Sequence, residues 1–152
     1  MKITDILTKD RIISDLSSTN KKDVISELVE VLPREKTDTD RLVHVLLERE
    51  KLGSTGIGDG VAIPHGKVKD IGPLMASFGR SRQGVDFESL DGKPTHLFFL
   101  LVTPEDSAGI HLKALARVSR LFKDGQFRHA LLVAKDQEEI FGIIYEEDEK
   151  YR

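Results

Sequence analysis

Apolar residues in the first third of the chain recur at helical spacing. Val24, Ile25, Leu28, Val29 and Leu32 follow the i, i+3/i+4, i+7/i+8 rule and predict a first helix behind the capping cluster Ser17-Ser18-Thr19-Asn20. Pro33 ends it, because proline cannot continue the helical hydrogen-bond ladder. A short β-type stretch, Arg11-Ile12-Ile13, precedes this helix. Thr37-Asp38-Thr39-Asp40 offers a second cap, after which Leu42, Val45, Leu46 and Arg49 fall on one face of a helix that Gly53 ends.

The middle of the chain changes period. Residues 53–60 are half glycine and run into Val61-Ala62-Ile63-Pro64-His65-Gly66-Lys67. Residues 75–79 and 95–103 have strand character, the second as a nearly continuous apolar run suited to a sheet centre covered on both faces. A polar connection with Gly84, Asp91-Gly92 and Pro94 separates them. Beyond Pro104, Ser107 predicts the cap of a third helix with Leu112, Leu115, Ala116, Ser119 and Phe122 on one face. Two more helical segments, residues 127–134 and 138–147, are broken at Lys135-Asp136. Helices, then strands, then helices, with a strand that needs cover on both faces, predict an α/β fold with a single mixed β-sheet flanked by helices on both faces. Strand order is not readable from these patterns.

Composition narrows the class. At 152 residues with 39% hydrophobic and 32% charged residues, the chain is expected to form one soluble domain over residues 1–152. A fold of this length buries roughly 70% of the surface of its unfolded chain, so its core needs neither disulfide nor metal. There is no cysteine, which removes disulfides, thiolate metal sites and cysteine nucleophiles, and leaves chemistry to oxygen and nitrogen side chains. Twenty-six acidic against 23 basic residues give a net charge of -3 without a basic tail, and this disfavours nucleic-acid binding. The opening Met1-Lys2-Ile3-Thr4-Asp5 has no leader character, and the apolar run at 97–102 is too short to span a bilayer. No membrane insertion and a cytoplasmic location are expected.

The glycine-rich loop lacks the Gly-Lys-Ser/Thr ending of a Walker A loop, and it follows a helix and leads into a strand, unlike a dinucleotide fingerprint. It can be a tight connection, or its Ser54, Thr55, Gly56 and Gly58 can present N–H groups as an anion-binding nest. The loop delivers Pro64-His65-Gly66 at the end of a strand, where an exposed, stiffly held imidazole is a candidate nucleophile near neutral pH. His44 precedes Glu48 by one helical turn and reads as solvated; His129 also reads as solvated, and His96 as a strand-end residue. His111 sits in the first turn of the third helix, where the dipole favours an anion and opposes a protonated ring, or else it packs beside Ile110. Arg49 continues an apolar face and needs a partner there: an acid beside which it snorkels, or an anion near the loop.

Glu48-Arg49-Glu50, the run Gly53-Ser54-Thr55-Gly56-Ile57-Gly58-Asp59-Gly60-Val61-Ala62-Ile63-Pro64-His65-Gly66-Lys67, and His111-Leu112 opening a downstream helix together resemble the enzyme IIA family of fructose and mannitol type in the bacterial phosphotransferase system. The resemblance implies a single mixed sheet flanked by helices and a phosphocarrier without cofactor or metal. It implies that His65 takes a phosphoryl group on Nε2 from an HPr-type phosphohistidine donor and passes it to a cysteine-bearing IIB domain. Arg49 and His111 match the positions that accompany the active histidine, and Asp59 is given no role. A chain of this length without IIB, IIC or HPr segments resembles the nitrogen-regulatory branch, whose members bind a regulated protein partner according to phosphorylation state; a separately encoded sugar-transport component is the alternative. Outside the family stand a hydrolytic or metal enzyme built on His65 and His111, which lacks a convincing third ligand, and a pure interaction module.

Overall fold

The computed structural model describes residues 1–33 and 38–151. Thr37 of the expected second cap lies outside them. Two short 3-10 turns, Ile3–Asp5 and Lys9–Arg11, lead into β1 (Ile12–Ile13), α1 (Lys21–Glu30) and α2 (Thr39–Lys51). The central block follows as β2 (Gly56–Gly58), β3 (Val61–Ala62), β4 (His65–Val68), β5 (Met75–Val85) and β6 (Thr95–Pro104). Three helices close the chain: α3 (Ala108–Phe122), α4 (Gly125–Val133) and α5 (Gln137–Glu149). Asn20 and Asp38 cap α1 and α2 by accepting from the backbone N–H groups of Asp23 and Arg41, and Asp124 and Asp136 do the same for α4 and α5.

The strands form one mixed sheet in the order β1-β5-β6-β3-β2, with β4 also paired to β6. On one side β6 runs antiparallel to β5, and on the other it runs parallel to β3 and β4, which lie end to end along it. Alternation along β6 divides the core. Leu97, Phe99 and Leu101 face Val118, Leu121, Leu131, Ile140 and Ile144 of α3 to α5, whereas Phe98, Leu100 and Val102 face Val24, Ile25, Leu28, Leu42 and Leu46 of α1 and α2. The continuous apolar run of β6 is thus covered on both faces, as expected from its sequence.

Three expectations need correction. The glycine-rich segment is not only a loop: Gly56–Gly58 forms an edge strand antiparallel to β3, with a register shift at Gly56/Gly58. His65 does not end a strand but opens one. The buried face of α3 is His111, Ala114, Val118, Leu121 and Phe122, while Leu112 is 67% exposed and Ala116 is exposed. Apolar residues occur almost all round this helix, so its own periodicity cannot choose a face; contact with the sheet does.

Candidate functional site

The strand line beside β6 is interrupted at Ile63-Pro64. Val61 and Ala62 pair with Leu97 and Phe98, and pairing resumes only at His65, opposite Leu101. Pro64 has no N–H to give, but its carbonyl accepts from Leu101 N at 2.9 Å. Ile63 turns its N–H away from β6 to the Thr55 carbonyl, at 3.0 Å. The Ile63 carbonyl lies 2.7 Å from His65 Nδ1. A carbonyl can only accept, so Nδ1 carries the proton, and in the neutral ring Nε2 keeps its lone pair. Burial pushes the His65 pKa below the ordinary 6.5, with help from the positive charge of Arg49 and against the Ile63 bond and the Glu50 charge. Near neutral pH the ring is a free base.

The parallel register puts His65, Leu101, Lys67 and Thr103 on the α3 face of the sheet. There the first turn of α3 brings His111 to a ring-centre distance of 5.5 Å from His65. His111 is buried and shares a 2.6 Å hydrogen bond between Nδ1 and Thr103 Oγ1. Burial, His65 and Lys67 together hold its pKa below 6.5. Arg49 reaches the same place from the end of α2, where its Nη1 donates to the Gly53 carbonyl at 2.8 Å. His65, His111, Arg49, Lys67 and Leu52 line an open hollow of about 480 Å³. The structure therefore gathers the three residues singled out from sequence, and Arg49 bonds to a backbone carbonyl within this chain.

The glycine-rich residues play a different part from an open nest. Thr55 N–H and Oγ1 both donate to the Glu50 carboxylate, and Gly56 N–H donates to Ser54 Oγ, which in turn donates to the Phe87 carbonyl at 2.7 Å. The N–H groups of Thr55 and Gly56 are thus already used inside the protein. Gly58 has φ +95 and carries the turn toward β3. Gly66 serves packing: a Cβ there would stand 3.1 Å from Val45 Cγ1, so its absence lets α2 lie close on β4.

Glu50 escaped the sequence reading. It is only 7% exposed, and with Leu42 and Leu46 it forms the buried stripe of α2, Arg49 being half-buried at the margin. The signal was present, since position 50 follows Leu46 by four residues just as Arg49 follows it by three. His44 and His129 are exposed, and His96 Nδ1 lies 2.8 Å from the Ser81 carbonyl, away from the hollow. Among the described residues no three His, Asp or Glu side chains are grouped to hold a metal ion, and no helix is long and apolar enough to cross a membrane.

The fold and site define an α/β protein with a mixed sheet between helical layers and, in one open hollow, an imidazole beside a second imidazole and a guanidinium. The chain belongs to the family described as phosphoenolpyruvate-dependent sugar phosphotransferase system, EIIA 2, whose model matches residues 5–147. It is 43% identical over 150 residues to the fructose-specific EIIABC component of Bacillus subtilis, covering 97% of this chain but only 24% of that protein. It is 40% identical over 145 residues to a nitrogen regulatory protein of Bradyrhizobium diazoefficiens, covering 95% of each. The crystal structure of nitrogen regulatory protein IIA-Ntr from Neisseria meningitidis superposes with a TM-score of 0.88 at 36% identity, over 93% of this chain and 98% of that one. Both nitrogen-regulatory and sugar-specific IIA proteins are therefore among its relatives, and the family comprises phosphotransfer components of the phosphotransferase system.

Proposed function

We propose that residues 1–152 act as one IIA domain in which His65 accepts a phosphoryl group from an HPr-type phosphohistidine. The observation that carries this is the Nδ1 bond to the Ile63 carbonyl, which leaves Nε2 as the free lone pair in the hollow. In the transfer, Nε2 attacks phosphorus; the Nε2–P bond forms while the donor's N–P bond breaks, and the electron pair of that bond stays on the donor nitrogen. A donor ring protonated on its other nitrogen is left neutral, and His65, retaining its Nδ1–H, becomes the cationic ring with the Ile63 carbonyl against that proton. No proton has to leave the pair.

The phosphoryl group brings about -2 of charge. Arg49 offsets it as a planar donor, and His111 offers a neutral ring. The first turn of α3 adds its dipole; Ser107 makes no side-chain bond to that turn, whereas the other four helices have side-chain caps. With a loose transition state, these groups act by placement and electrostatics.

For the role of the phospho-protein we favour phosphorylation-dependent regulation of a protein partner, as in nitrogen-regulatory IIA proteins; the match to the Bradyrhizobium and Neisseria proteins along nearly their whole lengths supports this. The 43% identity to a fructose-specific component supports the second reading, transfer onward to a IIB cysteine in sugar transport. Incubation with phosphoenolpyruvate, enzyme I and an HPr-type donor is expected to add one acid-labile, alkali-stable phosphoryl group to the wild type and none to His65→Ala. Full labelling of His65→Ala would remove His65 from the role. Affinity capture with His65→Ala and with phosphorylated wild type is expected to recover a partner preferentially from one of the two. Equal recovery together with fast transfer to a sugar-specific IIB would establish the transport reading.

A further inference from the structure

Glu50 is a buried carboxylate that the transfer chemistry above does not use. Its Oε1 accepts from Lys21 Nζ at 3.0 Å and from Thr55 N at 3.1 Å, and its Oε2 accepts from Thr55 Oγ1. Lys21 is itself held in place, 4.7 Å above the Phe87 ring and 3.2 Å from Glu88, with its side chain 16% exposed. The chain of contacts continues past Thr55. The Thr55 carbonyl accepts the Ile63 N–H, and the Ile63 carbonyl faces His65 Nδ1 at 2.7 Å. Hydrogen bonds and covalent bonds thus run without a gap from the start of α1 to the imidazole.

Each link constrains the next. Two bonds from one residue to one carboxylate fix the Thr55 backbone, whose carbonyl then receives the Ile63 N–H on the side of β3 that faces away from β6. That bond anchors the Ala62–Ile63 peptide, and the next peptide, whose Ile63 carbonyl determines the ring tautomer, is then held between it and the Pro64 carbonyl that accepts from Leu101 N. We infer that Glu50, anchored by Lys21, is a positioning residue for His65: through Thr55 and Ile63 it keeps the proton on Nδ1 and the lone pair on Nε2. This rests on the reading of His65 as the phosphoryl acceptor.

The alternative is that Glu50 only neutralises Lys21, and the two differ in what they do to the ring. The neutral His65 ring of the wild type is expected to show a protonated Nδ1 and an unprotonated Nε2 in two-bond ¹⁵N–¹H correlation spectra. Glu50→Ala is expected to give averaged nitrogen shifts for His65, leave the His111 shifts in place because Thr103 still holds that ring, and slow phosphoryl acceptance by roughly tenfold or more, as for other groups that orient a reactive ring. Glu50→Gln retains acceptor and donor atoms for Thr55, and is expected to restore the wild-type tautomer and most of the rate. It has a further signature: without the carboxylate charge, His65 titrates lower than in the wild type. If Glu50→Ala fails to fold because Lys21 is stranded, Lys21→Met/Glu50→Ala removes both charges and is read in the same way. Wild-type shifts in a folded alanine variant would overturn the inference, whether or not transfer slows. Absence of phosphoryl transfer to wild-type His65 would instead overturn the acceptor reading, and the nitrogen shifts would still report whether Glu50 sets the tautomer.

Discussion

Arg49 bears on His65 in two ways that one substitution separates. Its charge lowers the pKa of the ring, and its guanidinium faces the space where a phosphoryl group would sit. Arg49→Ala loses one bond to a loop carbonyl and is expected to stay folded. Deleting a preorganised charge-stabilising group costs on the order of 10²-fold in rate, so transfer is expected to fall by about that factor. Removing a positive neighbour favours the imidazolium, so the His65 pKa should rise toward 6.5. The variant should therefore lose proportionally more activity at pH 6 than at pH 8, which rate–pH profiles of both proteins, beside an NMR titration of the ring, would check; a constant ratio would exclude the electrostatic coupling. His65, His111 and Arg49 were legible in sequence because each sits oddly in its local pattern: a histidine between proline and glycine, another in a helical first turn, a charge on an apolar face. Glu50 was not, because a helical stripe can continue at either three or four residues, and only the position of Thr55 decides which of the two charges goes inside.

Between α2 and β4 the spacing is set by a missing atom. Val45 and Leu46 approach Gly66 so closely that a methyl group there would meet Val45 Cγ1 at 3.1 Å. Gly66→Ala is expected to destabilise the fold by about 1–3 kcal/mol, the usual cost of overpacking, and to slow transfer because the displaced helix carries Arg49 and the displaced strand carries His65. Chemical denaturation and phosphoryl acceptance measured on the same variant would show both effects; wild-type values in both would mean that α2 yields without consequence. Glycine at 66 thus admits a helix on the face of the sheet opposite the imidazole. Ser107, expected to cap α3, makes no side-chain bond to it, whereas the helices, the long central strand and the caps of α1 and α2 were readable because their signals are local. The split of one strand line at Ile63-Pro64 and the buried face of α3 were not, since both depend on what β6 offers from a distant part of the chain.

The two apolar layers share one sheet, and this ties distant helices into a single unfolding event. Phe78 and Phe99 serve the layer under α3 to α5, while Phe98 and Leu100, on the same strand pair, serve the layer under α1 and α2. Neither layer can lose its helices without exposing one face of β5 and β6, so the protein is expected to unfold in one cooperative transition. There is no tryptophan, and both tyrosines, Tyr145 and Tyr151, lie near the C-terminus, so tyrosine fluorescence reports the α5 side alone while circular dichroism reports all helices. Coincident thermal transitions by the two probes are expected; separated midpoints would show that the layers are independent. The place of β6 also has a consequence in time. This strand is the shared partner of β3, β4 and β5, yet it follows all three in the chain. On a ribosome adding about 5–20 residues per second, the segment bearing His65 emerges seconds before the strand that gives it a register. Until Pro104 is out, His65 has a sequence but no address.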